Sequence, residues 1–304
     1  MAAIAASRAP GRALAWWLAL RPWSFTISLA PVLAGTSLAM LDGYPPDLAL
    51  AAVALLACVL IHGGTNLQND VGDFRRGADL IGRVGPPRAT TQGWLPASQV
   101  QAAASLSFAL AFVPGAYVAA HGGWPIVAIG AFSVAAGAIY TAGPRPVAYS
   151  AWGEAFVIVF FGFVAVGGTY YLHARTLAPS ALLAGAALGA LGAAVLVLNN
   201  LRDIDSDRRI GKRTLAVRLG VRFTVREYAA LIHIPFLLCA LMAIQQRHAW
   251  LVAPLLLLPW ATTLAQRVAR EPAGAGLNAL LGATAKLGLA FALLLSLGAA
   301  LVKV

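Results

Sequence analysis

Two short polar stretches carry most of the chemistry this sequence can do. Asn66 to Asp79 reads NLQNDVGDFRRGAD and Asn199 to Arg213 reads NNLRDIDSDRRIGKR, and together they hold six of the eleven acidic residues in a chain of 304. Both contain the pattern Asn-(Asp/Asn)-x-x-Asp, at Asn69-Asp70-Val71-Gly72-Asp73 and at Asn199-Asn200-Leu201-Arg202-Asp203. On a helix, Asn66, Asp70 and Asp73 stand at i, i+4 and i+7, and Asn199, Asp203 and Asp207 at i, i+4 and i+8, so each set shares one face. Carboxylates gathered in this way repel one another unless a cation lies between them. A ligand set that is all oxygen, with no His or Cys, favours Mg²⁺, which keeps some of its water and accepts further ligands from a phosphate. Basic side chains are close at hand: Arg75, Arg76, Arg83 and Arg88 follow the first acids, and Lys212 and Arg213 follow the second. They are donors for phosphate oxygens. A metal and cations in one place point to a diphosphate.

The elements that position these residues must be membrane helices. Apolar residues make up 60% of the chain, charged ones 11%, and the mean hydropathy is +0.77, which is the composition of an integral membrane protein. A bilayer crossing takes about 20 mainly apolar residues. Nine such stretches are predicted, near 23–41, 47–70, 98–120, 124–142, 152–171, 179–201, 227–244, 249–266 and 277–301. The net charge of +11 therefore does not call for nucleic acid. The N-terminal tail, with Arg8, Arg12 and Arg21, and the connections after spans 2, 4, 6 and 8 carry 18 of the 22 Lys and Arg, Arg145 among them. Only Arg175, Arg247 and Lys303 fall on the other side, so the positive-inside rule puts the N-terminus and both acidic stretches in the cytoplasm. The long polar connections that follow the acids are where function is expected. We read residues 1–304 as a single transmembrane domain, with no soluble domain appended and no cleavable signal in the first 20 residues, where Trp16 and Trp17 look like interfacial anchors. Cys58 and Cys239 fall in different spans and read as buried thiols.

Other polar residues carry two readings each. Lys286 lies inside the last span, where a cation needs a partner; it either snorkels or pairs with an acid, or it meets an anionic substrate. Glu154 opens the fifth span, where the positive helix end also suits an acid. Tyr140 and Tyr149 flank one cytoplasmic corner and belong either to the aromatic belt or to a site that faces a cation. His62, two turns before Asp70, reads as core packing sooner than as a base. Gly63-Gly64, Gly122-Gly123 and Gly167-Gly168 read as close helix packing.

These residues resemble the UbiA-type intramembrane prenyltransferases, whose two Asp-rich motifs run Asn-Asp-x-x-Asp and Asp-x-x-x-Asp. Within that family the resemblance is nearest to the 1,4-dihydroxy-2-naphthoate polyprenyltransferases of menaquinone synthesis. It rests on RPWSFTISLAPVLAGT at Arg21 to Thr36, NDVGDFRRGAD at Asn69 to Asp79, YTAGPRP at Tyr140 to Pro146, GEAFVIVFFGFVAVGGTYY at Gly153 to Tyr171 and NNLRDIDSDRRIGKRTLAVRLG at Asn199 to Gly220. Where the family often has a third Asp, four residues after the second, this chain has Gly77, and its next acid is Asp79. The resemblance implies an all-α bundle of about nine spans around a central cavity, capped by cytoplasmic loops and open to lipid. It implies a polyprenyl diphosphate held through Mg²⁺ by Asp70, Asp73, Asp203 and Asp207, with Asn66 and Asn199 as neutral ligands or orienters and Arg75, Arg88, Arg145, Lys212 and Arg213 on the diphosphate. The acceptor it implies is 1,4-dihydroxy-2-naphthoate, which loses CO₂ to give demethylmenaquinone, with Lys286, Tyr140, Glu154 and Tyr149 as candidates for contact. The partners are then the two substrates and the lipid bilayer of a cell membrane, and a homo-oligomer is compatible with them. Relatives acting on 4-hydroxybenzoate, homogentisate or haem share the motifs. An ion-coupled transporter is the competing class, but its acids belong at mid-membrane and these lie at the cytoplasmic mouth.

Overall fold

The computed structural model describes residues 10–77 and 84–301, and the regular structure among them is all helical. Arg8, Asp79, Arg83 and Lys303 lie outside the described residues. Helix α1 (Arg12–Leu20) turns through a short 3-10 segment into α2 (Thr26–Leu41). There follow α3 (Leu48–Arg75), α4 (Ala97–Gly122), α5 (Trp124–Ile139), α6 (Gly153–Ala174), α7 (Pro179–Arg202), the short α8 (Ile204–Arg209), α9 (Leu215–Gln246), α10 (Ala249–Arg270) and α11 (Leu277–Leu301). Eight segments, counting α1 with α2 as one, are long and apolar enough to cross a membrane. The remaining expected span, α5, is a 16-residue apolar helix, about 24 Å long against roughly 30 Å of hydrocarbon.

Two of the boundaries that differ from the predicted ones bear on the site. The apolar run of α3 ends before residue 70, but the helix continues to Arg75, so the first acids are helical residues. Helix α9 begins at Leu215, where Thr214 accepts a hydrogen bond from the Val217 amide as an N-cap, and it kinks at Gly220, whose φ of 79° a side-chain-bearing residue rarely adopts.

The bundle closes on small residues. Lipid tails are as apolar as Leu, so membrane helices associate through close packing where Gly and Ala let the backbones approach. Helix α7, rich in Ala and Gly, is the most enclosed, and its Gly185 and Gly189 sit four residues apart on the face that meets α6. There α6 is π-helical over Ile158–Val164, and a Cβ built on Gly162 would lie 2.3 Å from the Gly185 carbonyl oxygen. Gly35 of α2 also fits closely against the Val166 carbonyl of α6, and Gly298 of α11 against Trp250 of α10. The glycine pairs singled out from sequence pack unevenly: at Gly63, Gly167 and Gly168 a Cβ would meet only side chains, at 3.5 Å or beyond, whereas at Gly64 it would crowd the Phe108 ring at 3.0 Å and at Gly122 it would collide with Ile126. Trp16 and Trp17 also part company. Trp17 is outward-facing, whereas Trp16 packs against the apolar cluster that includes Leu67 and Val71 of α3, because neighbouring helical residues point about 100° apart. Cys58 and Cys239 are both free thiols.

Candidate active site

Helices α2 to α7 and α11 enclose a cavity of about 1250 Å³, mostly apolar, with one polar end. Helix α3 lines it with Cys58, His62, Asn66, Asn69 and Asp73, and the α7–α8 segment with Leu196, Asn199, Asn200, Asp203, Ser206 and Asp207. Each set recurs at steps of three and four, which is the face of one helix. The polar end therefore brings together two triads of the same spacing, i, i+3 and i+7: Asn66, Asn69 and Asp73 from α3, and Asn200, Asp203 and Asp207 from α7 and α8.

Asp70 is not in this set. It is fully buried and does not line the cavity. Its Oδ2 accepts the Ala89 amide at 3.2 Å, and the Thr90 hydroxyl donates to Oδ1. At 100° per residue Asp70 sits about 60° round the helix from Asp73, on the edge where the 88–90 loop packs. The expected grouping of Asn66, Asp70 and Asp73 is thus replaced by one in which Asn69 faces the cavity and Asp70 fastens the loop.

Each carboxylate that does face the cavity meets a base. Arg88 donates to Asp73 Oδ2 at 2.9 Å, and the Tyr149 hydroxyl donates to Oδ1 at 2.8 Å. Arg202 grips the adjacent Asp203 with two bonds, 2.9 and 2.6 Å, and bonds Asn278 of α11 through its third nitrogen. Lys212 Nζ lies 2.9 Å from Asp207 and 4.7 Å from the centre of the Tyr149 ring. Burial pulls the Lys212 ammonium down, but Asp73, Asp207 and Asp203 together outweigh it and hold its pKa above the ordinary value, so the lysine stays charged among three carboxylates. Burial also raises the Asp207 carboxyl, with Lys212 opposing the rise.

Two of the amides are oriented by a carbonyl or a carboxylate, groups that can only accept. Asn66 donates through Nδ2 to the Leu20 carbonyl at 2.9 Å and to Ser24 at 3.1 Å. Asn200 donates through Nδ2 to Glu154 Oε1 at 2.7 Å. In both, the amide oxygen is the end left over. The Thr141 hydroxyl donates to Asn69 Oδ1 at 2.7 Å.

Of the cations expected on a diphosphate, Lys212 and Arg88 line the cavity, while Arg75, Arg145 and Arg213 are exposed and do not. Arg75 ends α3 about two residues beyond Asp73, which turns it to the far side of the helix. Arg202 and Arg21 line the cavity instead. Tyr140 and Lys286 line it, and among the described residues Lys286 has no carboxylate partner. Tyr149 does not line it but touches Asp73 and Lys212, which do, and Glu154 stands behind Asn200. His62 is held between Ser24 and Ser28 and lies edge-on to Phe25 and Phe161. Tyr140, a candidate from sequence, is joined by Phe156 and Phe160, which the sequence reading did not single out, in a row of rings that lines one wall at centroid spacings of 5.2 and 4.5 Å. Its signal was the i, i+4 pair Phe156 and Phe160.

The donor set suits an oxygen-loving divalent ion. Among the described residues no three Asp, Glu, His or Cys side chains stand close enough to enclose one. An ion held here keeps coordination positions for phosphate and water, which is how Mg²⁺ is usually bound.

A profile of the UbiA prenyltransferase family matches residues 28–289. The 1,4-dihydroxy-2-naphthoate octaprenyltransferase of Escherichia coli (strain K12) is 36% identical over 297 residues, covering 94% of this chain and 95% of that protein. The Bacillus subtilis protein of the same name is 30% identical over 283 residues, covering 93% and 91%. Among solved structures, a UbiA homologue from Archaeoglobus fulgidus bound to GPP and Mg²⁺ superposes with a TM-score of 0.66 at 16% identity, over 93% of this chain and 99% of that one. That likeness shows the fold.

Proposed function

This chain belongs to the UbiA prenyltransferase family, and we propose that it transfers a polyprenyl group from polyprenyl diphosphate to 1,4-dihydroxy-2-naphthoate, releasing diphosphate and CO₂ in the synthesis of menaquinone. One observation carries the reading: the carboxylates of both motifs and three bases meet at the polar end of a large apolar cavity. The names of the relatives at 30 to 40% identity support the choice of acceptor.

Arg88, Arg202 and Lys212 supply donors for the diphosphate oxygens, and their positive charge favours departure of the leaving group. Asp73, Asp203 and Asp207, with oxygens of Asn66, Asn199 and Asn200, are the residues that would hold Mg²⁺. When bound, that ion withdraws charge from the leaving diphosphate. As the C–O bond breaks, its electron pair goes with the diphosphate and an allylic carbocation remains. The faces of Tyr140, Phe156 and Phe160 are electron-rich surfaces for that cation, and the apolar walls keep water from quenching it. A ring carbon of the naphthoate then forms the new C–C bond. The carboxylate at that carbon leaves as CO₂, and its bonding pair restores the aromatic ring, which gives demethylmenaquinone in its quinol form. Lys286, a cation facing the cavity from α11, supplies a counter-charge for the acceptor carboxylate. The cavity volume exceeds the roughly 300–1,000 Å³ of ordinary small-molecule sites, which suits a long isoprenoid. The charge distribution of the loops orients the N-terminus and the polar end toward the cytoplasm.

The test is purified protein with Mg²⁺, a polyprenyl diphosphate and a panel of aromatic acids, with mass spectrometry of the lipid product. The expected product is the prenylated naphthalenediol that has lost CO₂, and EDTA abolishes it. Turnover that survives EDTA, or that takes 4-hydroxybenzoate in place of the naphthoate, refutes the assignment.

A further inference from the structure

We propose that Glu154 is a positioning residue that fixes the Asn200 amide with its oxygen toward the cavity, so that Asn200, beside Asp203 and Asp207, offers a neutral oxygen to the divalent cation. The proposal rests on the metal-dependent reading of the site given above. Glu154 is the second residue of α6, is 4% exposed and does not line the cavity. Its Oε1 accepts the Asn200 Nδ2–H at 2.7 Å, and its Oε2 has no hydrogen-bond partner among the described residues. A carboxylate accepts and an amide nitrogen donates, so this bond permits one orientation of the amide: nitrogen toward Glu154, oxygen away from it. Asn200 itself lines the cavity, one turn before Asp203 and two before Asp207.

The first motif repeats the arrangement from other elements. Asn66, at the matching place in its triad, has its nitrogen drawn off by the Leu20 carbonyl, an obligate acceptor, and its oxygen is left over in the same way. Each triad thus begins with an Asn whose nitrogen bonds an acceptor that does not line the cavity.

The carboxylate of Glu154 is otherwise a burden to the fold. It is buried, one of its oxygens is unpartnered, and Glu227 of α9 is near enough to interact with it electrostatically. An ionisable group in such a place is a functional residue by default. Residues that orient metal ligands from behind commonly contribute 10- to 100-fold to metal affinity.

The test uses Mn²⁺ as the probe, titrated by electron paramagnetic resonance into full-length protein in detergent with inorganic diphosphate and no prenyl substrate, so no turnover enters the readout. Glu154→Leu is expected to weaken Mn²⁺ binding about 10- to 100-fold. Glu154→Gln keeps an oxygen for the Asn200 amide and should stay within about threefold of the parent, and Asn200→Ala should match Glu154→Leu, with the double variant no weaker than either single one. If Glu154→Leu melts earlier but binds Mn²⁺ as the parent does, Glu154 is a brace and the proposal is wrong. If Glu154→Gln is as weak as Glu154→Leu, charge and not orientation is at work, and the proposal is equally wrong. A parent protein that binds no Mn²⁺ overturns the metal reading of the whole site, an outcome distinct from both.

Discussion

Replacing Asp70 with Ala separates holding the cap loop from holding the metal. Asp70 is wholly buried, and its two oxygens take the Ala89 amide and the Thr90 hydroxyl. Removing the carboxylate takes away the partner of the Ala89 amide and the close partner of the Thr90 hydroxyl, which keeps only the Asp70 backbone carbonyl at 3.3 Å. Hydrogen bonds to a charged group contribute roughly 1.5 to 3 kcal/mol each, so the loss is about 3 to 6 kcal/mol. At roughly 2 to 4 °C per kcal/mol for a chain of this order of size, the melting temperature should fall by on the order of 10 °C. The fall should be the same in EDTA, because no metal is involved. Asp73→Asn should do the opposite. Its carboxylate faces the cavity, where water can replace it as a partner for Arg88 and Tyr149, so the variant should melt within about 2 °C of the parent in EDTA while its Mn²⁺ affinity with diphosphate collapses. Thermal denaturation in detergent with EDTA, paired with Mn²⁺ titration, reads both quantities on the same samples. The reasoning is refuted if Asp70→Ala melts with the parent and loses Mn²⁺ binding, since Asp70 would then be a ligand.

Further outcomes follow from the same geometry. Lys286→Met should raise the KM for the aromatic acid far more than that for the prenyl diphosphate, and a reversed pattern in initial-rate kinetics would move Lys286 to the diphosphate. Gly162→Ala drives a methyl group into the Gly185 carbonyl, 2.3 Å from where its Cβ would lie, and should destabilise the protein by about 1 to 3 kcal/mol, whereas Gly130→Ala, which meets nothing within 4 Å, should be neutral in the same melting assay. A cysteine placed at Arg175 should react with a membrane-impermeant reagent in intact cells and one placed at Arg209 only after lysis; labelling of position 209 before lysis would invert the orientation proposed here.

What the sequence determined by itself was whatever depends on periodicity and composition. Long apolar runs in a chain with 11% charged residues must be membrane helices, and the basic loops between them order their ends. The spacing of Asp73, Asp203 and Asp207 already placed them on helix faces, and those three do meet at one cavity. Helical spacing, however, fixes only which residues share a sector about 100° wide. Asp70 and Asn69 both border the sector of Asp73, and the choice between them was made by the 88–90 loop, whose amide and hydroxyl claim Asp70. Likewise Arg75, Arg145 and Arg213 had the right charge and follow the acids in sequence, but the direction of each depends on where its helix or loop ends. The π-helical turn of α6 was illegible because it answers to Gly185 and Gly189 on another helix. Glu154 behind Asn200 belongs to the same class: the two are 46 positions apart, and only the packing of α6 on α7 makes one the anchor of the other. Local sequence sets the rotation of a residue about its own axis, and contacts from distant segments decide which of the atoms so presented are taken and which stay free for chemistry.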